Sequence, residues 1–200
     1  MSGVVFKGRE LSITHRSRRA RNDYIDEQLP LDITKSTREN ALQILICVAS
    51  TESRLEGKAI RLAHLNNLIR LLSRQPFCSS LYGVSLEQLL ACVRRLLVDS
   101  EHEIRAAALR ILRYVLVDKG GIDLFLRLHL DVLCVRSLDI VLDNHIERVQ
   151  FIRLVEHLVK LYPEEGVSPA LIRAVLSIAS EGYENNDKLG RPCLAIISEL

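Results

Sequence analysis

Residues 104–112 read IRAAALRIL, and the same pattern of one arginine among apolar residues at helical spacing returns twice later in the chain. The later copies are ERVQFIRLV at 147–155 and GRPCLAIIS at 190–198. The second residue of the copies is Arg105, Arg148 and Arg191 in turn, at intervals of 43 residues. A period near 43 is typical of HEAT and armadillo repeats, whose helices stack into a solenoid that binds other proteins. The sequence therefore predicts an all-α, armadillo/HEAT-type helical-repeat solenoid.

The composition fits helices that pack through aliphatic side chains. Hydrophobic residues make up 48% of the chain, while aromatic residues make up only 4% and tryptophan is absent. The apolar run at 44–49 is far shorter than the roughly 20 residues that a membrane span needs, and the N-terminus has no apolar signal segment. The five cysteines are odd in number and form no CxxC pair, which favours reduced thiols in a cytoplasmic protein over disulfides or zinc.

Local signals predict where the helices begin and end. Serines at 36, 85 and 100 are each followed three residues later by Glu or Gln, the pattern of a capping box. The predicted helices cover about 36–49, 57–74, 85–98, 100–119, 122–129, 131–142, 145–161, 169–181 and 187–200. Gly120 and Gly121 are predicted to end a helix rather than to bind phosphate, since no strand precedes them.

The first 30 residues lack helical periodicity, and residues 1–22 hold six Lys or Arg against one Glu. We predict a disordered basic arm over 1–30 and helical repeats over 31–200. The arm could make weak contact with an anionic membrane, touch nucleic acid or an acidic protein, or present Ser17 to a basophilic kinase. A solvated arm without a partner is the simpler interpretation, because charge runs are common. The lack of interleaved aromatic residues argues against nucleic acid.

The last predicted helix is apolar and has no polar closing repeat, although solenoid ends need one. We therefore expect the repeats to continue beyond Leu200.

No catalytic motif is present: the sequence lacks GxGxxG, a P-loop, HExxH, GxSxG and the kinase motifs. His102 and His145 are also 43 residues apart, but the sequence supplies no further ligands for a metal, so we expect them at the first turns of helices. The sequence predicts no enzyme, no catalytic residue, no cofactor and no metal site.

The three repeated arginines have two interpretations. Each guanidinium could bind a carbonyl or carboxylate of the adjacent repeat, or the three could line a groove that grips an acidic partner. Repeated positions usually serve stacking first, which favours the structural interpretation. Candidate carboxylates near the repeat junctions are Asp99, Asp143 and Asp187.

Several blocks of the sequence resemble the N-terminal region of the Rictor family. The blocks are 64–72 (HLNNLIRLL), 104–118 (IRAAALRILRYVLVD), 138–154 (LDIVLDNHIERVQFIRL) and 191–200 (RPCLAIISEL), with shorter likenesses at 21–23 and 29–32. The resemblance runs from about residue 20 to the end of the chain. Rictor continues far beyond 200 residues, so functions carried by its later parts do not transfer to this chain.

The resemblance implies the accessory subunit that defines TOR complex 2, a non-catalytic armadillo/HEAT scaffold. In that family the subunit helps to hold the TOR kinase and the Sin-type substrate-recruiting subunit. The complex phosphorylates AGC-family kinases and so acts on growth, survival and actin organisation. A generic armadillo/HEAT adaptor that binds extended peptides is the main alternative, and an all-α enzyme without a local motif is a more distant one.

Overall fold

The computed structural model describes residues 31–49, 57–136, 138, 144–163, 166–184 and 189–200. These residues are all-α, with no β-strand among them. The helices in chain order are α1 (Thr37–Ala49), α2 (Lys58–Arg74), α3 (Ser79–Tyr82), α4 (Leu86–Leu96), α5 (His102–Val115), α6 (Lys119–Arg127), α7 (Leu130–Val135), α8 (His145–Leu161), α9 (Pro169–Glu184) and α10 (Gly190–Glu199). The predicted basic arm and Ser17 lie outside the described residues.

Four helices at near-regular spacing form one row. Helices α2, α5, α8 and α10 begin 44, 43 and 45 residues apart, and each packs against the next. A second layer packs against this row: α1 contacts α2, α4 contacts α5, and α9 contacts α10. The short helices α6 and α7 connect the second layer, through contacts of α6 with α4 and of α7 with α9.

Helix α5 lies between α2 and α8 and is buried on most of its surface. Ten of its fourteen residues are buried, including the charged residues Glu103 and Arg105. The alanines at 106–108 suit this position, because small side chains let neighbouring helices approach closely. Leu109 and its counterpart Ile152 in α8 are both buried, as the 43-residue register predicts.

Helix α8 has the wide apolar face that a helix covered on two sides requires. The residues it buries include Phe151, Ile152, Leu154, Val155, Leu158 and Val159. Helix α5 packs on one side of it and α10 on another. The polar residues Arg153 and Lys160 remain exposed.

Two of the three predicted capping boxes form. The Ser36 amide donates to Glu39 Oε2 at 2.8 Å, and the Glu39 amide donates to Ser36 Oγ at 3.3 Å. At the start of α4, the Ser85 amide donates to Gln88 Oε1 at 2.8 Å and the Gln88 amide donates to Ser85 Oγ at 3.1 Å. Each box satisfies two backbone donors that the first turn of a helix leaves without partners.

The third predicted box, at Ser100, is wrong. Glu101 precedes α5, and its side chain makes no capping hydrogen bond. Glu103, the residue expected to reach back to the cap, instead accepts a hydrogen bond from Lys58 Nζ of α2 at 2.9 Å. The Glu103 carboxylate therefore binds Lys58 of a neighbouring helix and does not cap its own helix.

The interpretation of Gly120 and Gly121 as a helix end is also wrong. Helix α5 ends at Val115, and both glycines lie in the first turn of α6. The Gly121 amide donates to Asp118 Oδ1 at 2.7 Å, which makes Asp118 the N-cap of α6. The boundaries of α4 and α7 also differ from prediction, since these helices end at Leu96 and Val135 rather than at 98 and 142.

No helix in the described segments is both long and apolar enough to cross a membrane.

Ser85, which caps a helix, and Ser100, which does not, allow a matched test of capping. We expect Ser85→Ala to lower the free energy of unfolding by about 1 kcal/mol, because the Gln88 amide loses its acceptor. Ser100→Ala should change it by less than about 0.5 kcal/mol, because that side chain caps no helix. Urea unfolding followed by circular dichroism measures both, and equal losses would contradict the assignment of the caps.

Candidate partner-binding surface

Arg105 is buried in α5 and joins it to α8. Its Nε donates to Glu147 Oε1 and Oε2 at 3.0 and 3.1 Å, and its Nη2 donates to Glu147 Oε2 at 2.9 Å. Its Nη1 donates to the carbonyl oxygens of Asp99 and Ser100 at 2.8 and 3.0 Å. Glu147 stands in the first turn of α8 and is only 2% exposed. The guanidinium is thus fully engaged within the chain, in the forked geometry that arginine favours with carboxylates.

Arg148 makes the corresponding connection one repeat later. Its Nε and Nη2 donate to the Leu138 carbonyl oxygen at 3.1 and 2.6 Å, and its Nη1 donates to Glu181 Oε2 at 2.7 Å. Glu181 belongs to α9, so this arginine connects α8 with the segment before it and with the second layer. Arg148 is 5% exposed and, like Arg105, faces the protein interior.

The 43-residue alignment does not include Arg61, which belongs to the same series. Arg61 in α2 lies 44 residues before Arg105, is buried, and forms an ion pair with Asp99. Its surroundings, IRLAHL at 60–65, match IRAAAL at 104–109, so the signal was present in the sequence at a spacing one residue longer. The series of buried arginines is therefore Arg61, Arg105 and Arg148.

Lys58 adds a second link between α2 and α5. Its Nζ lies 2.9 Å from Glu103 Oε1 and 3.6 Å from Glu101 Oε2. Burial by itself would raise the pKa of the Glu103 carboxyl, but the hydrogen bond from Lys58, a backbone hydrogen bond and the electrostatic effects of His102 and Lys58 together outweigh it, and the pKa lies below its ordinary value. Glu103 is therefore ionised at neutral pH and holds Lys58 across the helix pair.

Arg191 differs from the other two predicted arginines. It lies at the start of α10, is exposed, and makes no ion pair with any described residue. Among the proposed partner carboxylates, Asp99 pairs with Arg61 and offers only its carbonyl oxygen to Arg105. Asp143 and Asp187 lie outside the described residues. The carboxylates that Arg105 and Arg148 bind, Glu147 and Glu181, were not anticipated.

His102 and His145 are the first residues of α5 and α8, in the first turns where the sequence predicts them. His102 Nε2 lies 3.4 Å from Glu103 Oε2. The described segments contain no group of three or more His, Cys, Asp or Glu side chains arranged to hold a metal ion.

A groove of about 380 Å³ lies along the row of repeat helices. Side chains of α2, α5 and α8 line the groove, so the groove depends on the packing of these three helices. Its apolar floor includes Ile69, Ala106 and Ala107, and its polar lining includes Arg70 and Arg110. Arg110 belongs to the repeated pattern, 43 residues before Arg153, but its sequence position alone does not reveal a groove.

The buried Arg105 and the exposed Arg191 should contribute very different amounts to the free energy of unfolding. Arg105→Ala should lower the free energy of unfolding by about 3–5 kcal/mol, because it leaves Glu147 as a buried carboxylate without its partner. Arg191→Ala, the same change at an exposed site, should alter it by less than about 0.5 kcal/mol. Chemical denaturation of both variants checks this, and a small effect at Arg105 would mean that its ion pair does not hold α5 to α8.

Comparison with known proteins identifies the family. The family model described as "Rapamycin-insensitive companion of mTOR, N-term" matches residues 62–200. The chain is 34% identical over 199 residues to the human protein named "Rapamycin-insensitive companion of mTOR" and 32% identical over 197 residues to the mouse protein of the same name. "Protein pianissimo A" of Dictyostelium discoideum is 25% identical over 168 residues, which are 84% of this chain and 14% of that protein.

The two mammalian alignments each cover 96% of this chain but only 11% of the relative, so the chain spans about a tenth of their length. The resemblance noted in the sequence is confirmed, since the family model covers more than half of the chain. This chain belongs to the Rictor family and corresponds to its N-terminal region.

Proposed function

We propose that this chain is a non-catalytic scaffold segment of TOR complex 2. Membership of the Rictor family carries the proposal, because the mammalian relatives are named as companions of the TOR kinase. The scaffold binds the TOR kinase and the Sin-type subunit in the cytoplasm. It thereby supports phosphorylation of AGC-family kinases, with effects on growth and on the actin cytoskeleton.

An armadillo/HEAT-type solenoid is the architecture we propose for residues 31–200, preceded by the basic arm. The near-regular start of α2, α5, α8 and α10, at 44, 43 and 45 residues, supports it, as does the packing of each on the next. In such repeats every unit contacts only its neighbours, which leaves long faces available for partners.

A scaffold accelerates phosphorylation without contributing a catalytic group. Holding kinase and substrate on one support turns their encounter into an intramolecular event and raises their effective concentration. The sequence contains no nucleotide-binding or catalytic motif that would supply chemistry of its own.

Co-precipitation from cells tests this function. We expect the TOR kinase to co-precipitate with the tagged protein that contains this chain, and depletion of that protein to reduce hydrophobic-motif phosphorylation of AGC kinases. Restoring the wild-type protein should restore phosphorylation. The purified 200-residue chain should not hydrolyse ATP above a buffer blank.

Two outcomes would contradict the proposal. Intact hydrophobic-motif phosphorylation after depletion, in cells without a second gene copy, would remove the TOR complex 2 assignment. Capture of an unrelated cargo in place of the TOR kinase would favour the generic adaptor instead.

A further inference from the structure

Arg110 is a half-buried cation for which the described part of the chain supplies no partner. It lies five residues after Arg105 on α5, yet it makes no hydrogen bond or ion pair with any described residue. Arg105 on the same helix differs, since its guanidinium binds a carboxylate and two carbonyl oxygens within the protein. Burying part of a cation without a partner costs free energy, which a bound anion would recover.

The neighbours of Arg110 are basic. Burial lowers the pKa of its guanidinium, and the positive charges of Arg113 and Arg153 lower the pKa further, against an opposing effect of Tyr114. Arginine stays protonated in proteins, so Arg110, Arg113 and Arg153 together place three positive charges close to one another. Arg70 of α2 lines the same groove. Three successive helices therefore place arginines along one side of the molecule.

The acidic residue in the groove lining does not neutralise this charge. Glu103 directs its carboxylate to Lys58, and it also lies beside His102. The groove is thus left with an excess of positive charge that the described residues do not balance.

The rest of the groove is apolar. Ala106 and Ala107 line its floor beside Leu62 and Ile69, and Ile146 at its edge is 39% exposed. Small side chains in the floor leave room for an incoming apolar side chain, and the guanidinium groups lie close to it. An arginine fork matches a carboxylate by two parallel hydrogen bonds, so the combination suits a peptide with both acidic and apolar residues.

We propose that this groove, lined by Arg70, Arg110 and the alanine floor, binds an acidic segment of a partner protein. Carboxylates of the segment bond to Arg70 and Arg110, and an apolar side chain between them packs against Ala106 and Ala107. The inference rests on the proposed scaffold function and adds to it a surface and the chemistry of the partner.

Charge argues against residues 1–22 of this chain as the occupant, because they carry six basic residues and one acidic residue. Nucleic acid fits less well than an acidic peptide. Single strands bind through successive aromatic platforms, whereas the groove lining offers one aromatic residue, Tyr114, and an aliphatic floor.

Fluorescence polarisation with the full 200-residue chain tests the proposal directly. The probe is a fluorescein-labelled nine-residue synthetic peptide of alternating glutamate and leucine, and the matched control peptide has lysine for glutamate. We expect the glutamate peptide to bind, the lysine peptide not to bind, and the affinity to fall as sodium chloride is raised.

Three charge-reversal variants locate the site. Arg110→Glu and Arg70→Glu should each weaken binding about ten-fold or more, because a repulsive charge replaces a bonded one. Arg94→Glu is the matched control, since Arg94 is exposed on α4 in the second layer and does not line the groove. It should change the affinity by no more than about two-fold, as expected of a distant surface charge.

Arg110→Gln separates binding from folding. Since Arg110 makes no bond with the described residues, this variant should melt at or above the wild-type temperature while it binds the peptide more weakly. A clear fall in melting temperature would show that Arg110 supports the fold and would overturn the proposal.

Other results would also overturn it: no binding of the glutamate peptide, equal binding of the lysine peptide, or unchanged affinity in the Arg110 and Arg70 variants. Displacement of the peptide by a short single-stranded oligonucleotide at lower concentration than by unlabelled peptide would assign the groove to nucleic acid. None of these results touches membership of TOR complex 2, which co-precipitation tests separately.

Discussion

Helices α2, α5 and α8 each contain a buried arginine that must find its partners inside the protein, and this requirement fixes how these helices stack. Burial of aliphatic side chains between α2, α5 and α8 is the larger driving force, but it is non-directional and would tolerate a helix that slides or rotates. The forked bonds of Arg105 to Glu147 are directional, and a displaced α8 would leave two charges buried without partners. Apolar burial therefore brings the helices together, and the arginine series sets their register.

The same register produces the surface on which function would depend. Arg105 and Arg110 stand five residues apart on α5, so they point to different sides of the helix. One is saturated by bonds to α8, while the other lies in the groove that α2, α5 and α8 form together. The chain thus uses the charge of Arg105 in contacts between its own helices, while Arg110 makes no hydrogen bond or ion pair with the described residues.

The sequence predicted those features that depend on nearby residues or on the repeat, and failed where a distant residue intervened. The capping boxes at Ser36 and Ser85 formed because their partners lie three residues away in the chain. The box at Ser100 did not form, because Lys58, distant in sequence, bonds Glu103. The 43-residue register located Arg105 and Arg148 but not their carboxylate partners, since these depend on how helices lie in space. The repeat distinguishes Arg105 from Arg110, since the third copy has Ile196 at the Arg110 position, but it does not show which neighbouring helix each arginine faces.

A double-mutant cycle at Arg105 and Glu147 tests the central claim most directly. The free energy of unfolding is measured for the wild type, for Arg105→Ala, for Glu147→Ala and for the double variant. If the pair fixes α5 against α8, the double variant should lose less than the sum of the single losses, with a coupling of about 1.5–3 kcal/mol, the upper range for residues in direct contact. Losses that add to within about 0.5 kcal/mol would show that the two residues act independently and that the helices are held in register by other means.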